Sequence, residues 1–178
     1  REINGLKKLQ PDSVSLMMYL ARLYNINGQT EQTIRLIEEA ISIDQQNDTL
    51  YHSLALAYTG DNQIDKAIIK MKKAIEIDQS KDFYYFELGA LLERTGEFER
   101  AIKYLKQSID LNPMHSNAHN FLGYMYATHG KSLDKALSHL NKALSIQPKN
   151  GYFLDSLGWI YFKKGESKKA LSQLKKAL

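Results

Sequence analysis

The sequence predicts an all-α protein built from repeated pairs of antiparallel helices. Three observations support this prediction. A leucine followed by a small residue returns about every 34 residues, apolar residues fall at helical spacing between these points, and only three prolines occur in 178 residues. We therefore expect about ten full helices, a partial helix at the start, and no substantial strand.

The period is marked by a small residue that directly follows a leucine. These pairs are Leu20-Ala21, Leu54-Ala55, Leu88-Gly89, Leu122-Gly123 and Leu157-Gly158. They are 34, 34, 34 and 35 residues apart, because one extra residue is inserted between Lys131 and Lys135. A second small residue recurs at Thr33, Ala67, Ala101, Ala136 and Ala170. Small residues are expected where two helices cross closely, since a larger side chain would force the axes apart.

Each repeat reads as a helix, a short turn, a second helix and a loop. The first helix ends at a residue that tolerates left-handed backbone, namely Gly28, Asn62, Gly96, Gly130 and Gly165. Pro113 and Pro148 close two of the second helices, because proline cannot continue a helix.

These signals divide the chain into five tandem repeats, and the predicted boundaries are 14–47, 48–81, 82–115, 116–150 and 151–178. Residues 1–13 read as the second helix of a preceding, truncated repeat. We therefore expect one continuous array that is a fragment of a longer chain.

The pattern resembles the tetratricopeptide repeat, and the resemblance covers nearly the whole chain. The shared features are the 34-residue period, the Leu-Gly pair followed by Tyr, the turn glycine, the spaced alanines and the closing proline. The first two repeats depart from it, with Ala21 and Ala55 in place of glycine and Thr33 in place of alanine. The resemblance implies a right-handed superhelical α-solenoid whose first helices line a concave groove.

The stretches NAHNFLGY and YFLDSLGW are similar to bacterial proteins of this family, some of them envelope lipoproteins. This resemblance implies a bacterial source. The resemblance leaves two locations open, the cytoplasm and the bacterial envelope with its periplasm.

The sequence lacks the motifs of catalysis and of cofactor binding. It has no cysteine, and the patterns HExxH, GxxxxGK[ST] and GxGxxG do not occur. His115 and His119 are four residues apart, a spacing that can hold zinc on one helix, but His115 falls in the loop before the helix and no third ligand is suitably spaced. His52, His129 and His139 are isolated. We predict no catalytic residue, no cofactor, no metal and no enzymatic activity.

The net charge of +4 is unevenly distributed along the chain. From Lys131 onward there are ten lysines and three acidic residues, a net charge of +7, and the remainder carries −3. A basic end can attract nucleic acid or an anionic membrane, so binding of this kind is one hypothesis. The segment has no arginine interleaved with aromatic residues, however, and no run approaches the ~18 apolar residues of a membrane span. We interpret the lysines as a solvated outer face, and expect no nucleic-acid partner and no membrane contact through this fragment.

Under the resemblance, first-helix residues one turn away from the Leu-Gly line face the groove. The predicted partner-binding residues are Phe83, Phe86, Asn117, Asn120, Tyr124, Tyr152, Asp155, Trp159 and Phe162. The rings would anchor apolar side chains of a partner, while Asn117, Asn120 and Asp155 would hold its backbone or a basic group. The alternative is that the rings pack between repeats.

The sequence therefore predicts a protein-interaction scaffold that binds a peptide segment or helix with apolar side chains. The alternative is the substrate-presenting region of a larger enzyme whose catalytic domain lies outside this fragment. Some family members in co-chaperones bind a C-terminal carboxylate through lysine, arginine and asparagine on successive first helices. The matching positions here form no cationic clamp, so we do not expect such a ligand, and they are Met18, Arg22, Ser53, Phe83 and Glu87. Leu171, Leu174 and Leu178 have no following helix to cover them, and we expect self-association through this uncapped C-terminal end.

Overall fold

The computed structural model describes residues 13–129 and 132–178. Within these residues it has ten α-helices and no strand, so the predicted all-α fold is confirmed. The helices are α1 (Val14–Ile26), α2 (Thr30–Ile43), α3 (Asp48–Gly60), α4 (Ile64–Ile77), α5 (Asp82–Arg94), α6 (Phe98–Leu111), α7 (Ser116–Thr128), α8 (Leu133–Ile146), α9 (Gly151–Lys163) and α10 (Ser167–Ala177).

The partial helix predicted at the start of the chain lies almost entirely outside the described residues. Only Ser13 of that segment is described, and it is the N-cap of α1. Its Oγ accepts a hydrogen bond from the Leu16 backbone N–H at 3.3 Å, which satisfies one of the free donors at the helix start.

The helices group into two compact units, one ending at Ser80 and the other beginning at Lys81. In the first unit α1 packs along α2, α3 packs along α4, and α2 also contacts α3. In the second unit the pairs are α5 with α6, α7 with α8 and α9 with α10. There α6 also contacts α7, α8 contacts α9, and the first helices α7 and α9 contact each other. None of these ten helices is long and apolar enough to cross a membrane.

The recurring small residues lie at the helix crossings, as predicted. The second small residue of each repeat is buried in all five cases, at Thr33, Ala67, Ala101, Ala136 and Ala170. Gly123 shows why size matters, because a Cβ there would lie 2.2 Å from Leu140 Cδ2 and 3.0 Å from the Ala136 backbone oxygen. Only a residue without a side chain allows α7 and α8 to approach this closely.

Thr33 replaces the usual alanine without leaving a polar group unsatisfied. Its side chain is buried, and its hydroxyl donates to the backbone oxygens of Gln29 at 3.0 Å and Ala21 at 3.3 Å. The second bond crosses from α2 to α1. The departure from the family pattern is therefore accommodated by hydrogen bonding between the helices of the first pair.

The turns inside the helix pairs use the predicted left-handed residues. Positive φ angles occur at Gly28 (71°), Asn62 (57°), Gly96 (79°) and Gly165 (78°), while Gly130 lies outside the described residues. In each of the four turns the next residue donates its backbone N–H to the carbonyl five residues earlier, as Gln29 does to Tyr24 at 2.8 Å. This bond closes the end of the first helix and reverses the chain toward the second.

Candidate functional site

All nine predicted groove residues lie in the second unit, on the first helices of its three pairs. Phe83 and Phe86 are on α5, Asn117, Asn120 and Tyr124 on α7, and Tyr152, Asp155, Trp159 and Phe162 on α9. Their spacing of three or four residues places those of one helix on a common face. The buried leucines of α9, Leu154 and Leu157, lie on its other side.

Four of the nine residues surround one cleft, which we call the aromatic-acidic cleft: Tyr124, Asp155, Trp159 and Phe162. It has a volume of about 410 Å³, and its remaining walls are formed by Ser156, Gly158, Ala170 and Leu174. The Trp159 and Phe162 rings are stacked with centroids 5.8 Å apart. Trp159 is 40% exposed and Phe162 is 60% exposed, so both rings remain open to a ligand.

Two charged groups lie at the aromatic-acidic cleft, the Asp155 carboxylate in its wall and the Lys163 ammonium group over the Trp159 ring. Asp155 is exposed and has no hydrogen-bond or ion-pair partner within residues 13–129 and 132–178. Lys163 lies one turn beyond Trp159, and its Nζ is 4.8 Å from the centroid of the indole ring. The cleft therefore combines aromatic faces with an unpaired carboxylate, and the ammonium group of Lys163 lies beside it over one of the rings.

The other predicted groove residues lie outside this cleft. Tyr152 is 85% exposed and lines a neighbouring cleft of about 500 Å³ with Asp155, Leu174 and Leu178. Phe83 is exposed, and its ring meets the Tyr84 ring edge-on at 4.5 Å.

Phe86 is only half-buried, and it packs between α5 and α7. Its ring centroid lies 5.0 Å from that of His115 and 6.1 Å from that of Phe121. The Phe86 ring therefore contacts the next repeat, and its role in partner binding stays a prediction.

The two asparagines of α7 differ in their surroundings. Asn117 is exposed, whereas Asn120 is half-buried. Asn120 Oδ1 is inaccessible to solvent and has no hydrogen-bond partner among the described residues. A buried acceptor without a donor costs free energy, so a ligand or water that supplied an N–H or O–H here would stabilise the fold.

Phe121 belongs to the aromatic row but is absent from the predicted set. Its ring lies parallel to Tyr124 at 6.4 Å and meets Phe86 edge-on, so it connects α5 with the aromatic-acidic cleft. Phe121 directly precedes the Leu122-Gly123 pair, and this place in the repeat is the sequence signal that could have identified it. The equivalent residue in the last repeat, Ser156, also lines the cleft.

The histidines predicted to be isolated do have neighbours: the His129 ring stacks on Phe98 with centroids 3.6 Å apart, and His139 contacts another histidine. The Nδ1 of His139 lies 3.1 Å from Nδ1 of His119, whose Nε2 is 3.2 Å from the Pro113 backbone oxygen. Burial lowers the pKa of His119 and lowers that of His139 to about 4. His115 contacts Asp82 and Ser108 instead, at 2.9 and 3.0 Å. The described part of the chain has no group of three side chains suited to hold a metal ion.

Comparisons with known proteins identify the repeats. A family model described as tetratricopeptide repeat matches residues 86–151, and a second with the same description matches residues 48–81 and 153–178. Together the matches cover more than two thirds of the chain. No curated protein matches the sequence.

Solved structures of similar fold include MamA proteins. One MamA structure superposes with a TM-score of 0.80 and 27% identity, covering 93% of this chain and 90% of that one. MamA from Desulfovibrio magneticus RS-1 gives a TM-score of 0.82 at 18% identity, with 92% of each chain covered. YrrB, described as a protein of this repeat class with an unusual peptide-binding site, gives 0.75 at 21% identity, covering 99% of this chain and 91% of its own.

Proposed function

Because the chain belongs to the tetratricopeptide repeat family, we propose that it is a protein-interaction scaffold whose first-helix face binds a peptide segment or helix. The observation that carries this proposal is the aromatic-acidic cleft, where exposed rings of Tyr124, Trp159 and Phe162 line one concave space. Aromatic side chains provide large anchoring areas at low entropic cost, which is why they dominate many binding interfaces.

The chemistry of the surface suits a partner with apolar side chains. Trp159 and Phe162 provide apolar faces, and Leu174 and Ala170 form an apolar wall beside them. The peptide-binding site in the description of YrrB supports a peptide ligand by analogy. A C-terminal carboxylate does not fit the proposal, because Phe83 and Glu87 occupy positions where relatives in co-chaperones carry basic residues.

We propose that the chain acts by binding and performs no catalysis itself, as is typical of this family. The alternative, a substrate-presenting region of a larger enzyme, would use the same surface to hold a protein substrate. Neither the fold nor the family matches favour that alternative over a scaffold.

The test compares the removal of an aromatic side chain from a first helix with the removal of a lysine side chain from α6, a second helix. Partners are captured with the intact chain, and their affinities for Trp159→Ala, Phe86→Ala and Lys106→Ala are measured after folding has been checked. Lys106 is exposed on α6, where its Nζ lies 5.9 Å from the Tyr126 ring centroid. Trp159→Ala should cost roughly 2 kcal/mol of binding free energy or more, because it removes a central anchor.

Phe86→Ala should weaken binding less than Trp159→Ala does, because Phe86 also packs against Phe121. Lys106→Ala should bind like the parent. The proposal would be refuted if Trp159→Ala and Phe86→Ala bound like the parent while Lys106→Ala lost binding. The functional surface would then lie on the second helices.

A further inference from the structure

We propose that the aromatic-acidic cleft recognises a basic side chain of the partner, a lysine or arginine flanked by apolar residues. This inference rests on the proposed function and specifies the chemistry of its ligand. It concerns the space between Tyr124, Asp155, Trp159 and Phe162 on α7 and α9.

The first argument is the combination of rings and carboxylate. An aromatic face attracts a cation placed within about 6 Å of its centroid, and Trp is the strongest of the aromatic side chains in this respect. Asp155 precedes Trp159 by four residues, so both project from the same face of α9 into the cleft. A ligand cation between them would meet the carboxylate and the ring at once.

The protein itself shows that the indole ring accepts a cation. The Lys163 ammonium lies 4.8 Å from the Trp159 centroid, although its side chain is exposed and free to adopt other rotamers. The ammonium of Lys163 can move into solvent when a ligand cation arrives. The Trp159 ring would then contact the basic group of the ligand in place of the Lys163 ammonium, and the ligand's basic group would also pair with Asp155.

The second argument is charge complementarity. Asp155 is without a partner in the part of the chain that the structure describes, so nothing there neutralises it. An acidic ligand would bring a second negative charge next to this carboxylate, and a neutral ligand would remove water from the carboxylate without replacing its hydrogen bonds. A guanidinium or ammonium group supplies both the charge and the donors.

The third argument comes from the cleft beside the first helix pair, which has a volume of about 490 Å³ and is closed by the following helix α3, whereas α7, the first helix of the preceding repeat, closes the aromatic-acidic cleft. Met18, Arg22 and Asn25 stand there at the positions that Asp155, Trp159 and Phe162 occupy in the last repeat. The helix pair therefore folds without a carboxylate or rings at these positions. The fold of a helix pair therefore does not require the acidic and aromatic residues of the last repeat, which leaves them available to bind a ligand.

The chain offers a direct probe because Trp159 is its only tryptophan. Trp159 fluorescence of the full chain is followed while the blocked peptide acetyl-Leu-Arg-Leu-Leu-amide is added. Matched peptides carry citrulline, a neutral isostere of arginine, or glutamate at the second position. The arginine peptide should bind roughly tenfold more tightly than the citrulline peptide, and the difference should shrink at high salt.

Asp155→Asn should shrink that difference, chiefly by weakening the binding of the arginine peptide, while the contribution of the Trp159 ring remains. Asp110→Asn is the matched control, because it removes an exposed carboxylate from α6, outside the cleft, and should preserve the preference for arginine. Equal affinities of the parent for the arginine and citrulline peptides would show a purely apolar occupant. That result would overturn this inference and leave the scaffold proposal standing.

Two further outcomes would also overturn the inference. They are tighter binding of the glutamate peptide and the absence of any fluorescence response to all three peptides. The scaffold proposal is judged separately by the ring deletions described above, so the two failures are distinguishable.

Discussion

His119 and His139 illustrate how single residues make this fold sensitive to its environment. The Nε2–H of His119 donates to the Pro113 backbone oxygen, so its Nδ1 is free to accept a hydrogen bond from Nδ1–H of neutral His139. One additional proton can bind His139 Nε2 and leave this contact intact, but a second would have to bind His119 Nδ1 and would make two N–H groups face each other. Lys142 opposes protonation of His119, and Lys106 opposes protonation of His139.

This histidine pair should make the protein less stable in mild acid. The pKa of His139 is lowered to about 4 from its ordinary value of 6.5, and that of His119 is lowered in the same direction, in both cases chiefly by burial. The unfolded chain therefore binds more protons between these values, and the free energy of unfolding falls as pH drops from about 6.5 toward 4. We expect a loss on the order of 1–2 kcal/mol, with the partial exposure of His139 taken into account.

The measurement is denaturant unfolding at pH 7.5 and pH 5.0 for the parent, His139→Gln and His129→Gln. His139→Gln should lose less stability on acidification than the parent, because one buried titrating group is gone. His129 is exposed, stacks on the Phe98 ring and lies outside the pair, so His129→Gln controls for the replacement of a histidine as such. An identical pH dependence in all three proteins would contradict the role assigned to the histidine pair.

At the scale of the helices, the decisive contacts are the crossings within each pair. A Cβ at Gly89 would lie 2.9 Å from Leu105 Cγ, and one at Gly158 would lie 2.9 Å from Leu174 Cγ, so these crossings are also close, although less so than that at Gly123. In the first two repeats buried Ala21 and Ala55 occupy the same position. The crossings of the first unit thus accommodate one methyl group more than those of the second.

Gly123→Ala should destabilise the protein by roughly 1–2 kcal/mol. The new methyl group would clash with Leu140, which is fully buried and would have to shift against packed neighbours, and it would crowd the Ala136 carbonyl. Alanine favours helix over glycine by up to about 1 kcal/mol, and this gain offsets part of the cost of overpacking.

The control is Gly60→Ala at the end of α3, where a Cβ would meet nothing within 4 Å. This variant gains the same helix propensity without a clash, so its free energy of unfolding should be unchanged or higher. Urea unfolding of the two variants separates the cost of overpacking from the gain in helix propensity. Equal stabilities for Gly123→Ala and Gly60→Ala would show that α7 and α8 can separate without cost.

At the scale of the whole molecule, apolar surface and charge are unevenly distributed. Leu171 of α10 is 54% exposed, and Leu174 and Leu178 are exposed near it. The same part of the chain is rich in lysine, with Lys168, Lys175 and Lys176 all exposed. Exposed leucines favour association between molecules, whereas like charges oppose it at low ionic strength.

We predict that the chain self-associates through this leucine surface. The weight-average mass in sedimentation velocity should rise with protein concentration, more strongly at 0.5 M salt than at 0.05 M, because salt screens repulsion between the lysines. Replacing Leu171 and Leu178 by glutamine should abolish the rise. Ile69→Gln, which removes an exposed apolar side chain from α4, should leave it intact. A parent that remains monomeric at every concentration would refute the prediction.

Much of the fold could be predicted from the sequence because its determinants are local. Helical spacing of apolar residues predicts the helices, and the left-handed residues Gly28, Asn62, Gly96 and Gly165 predict where each first helix ends. The 34-residue period then identifies the small residues at the crossings, because equivalent positions in stacked repeats meet equivalent neighbours.

The candidate site could be predicted only in part. The period assigns Trp159, Phe162, Asp155 and Tyr124 to first helices, but only the tertiary structure brings them around one cleft and places Phe86 against Phe121. It also brings His139 to His119, 20 residues earlier on the neighbouring helix. Such contacts depend on the separation and rotation of packed helices and on side-chain rotamers, which a one-dimensional pattern does not contain. The sequence therefore determined the helices and their faces, and the packing of those helices decided which side chains share a site.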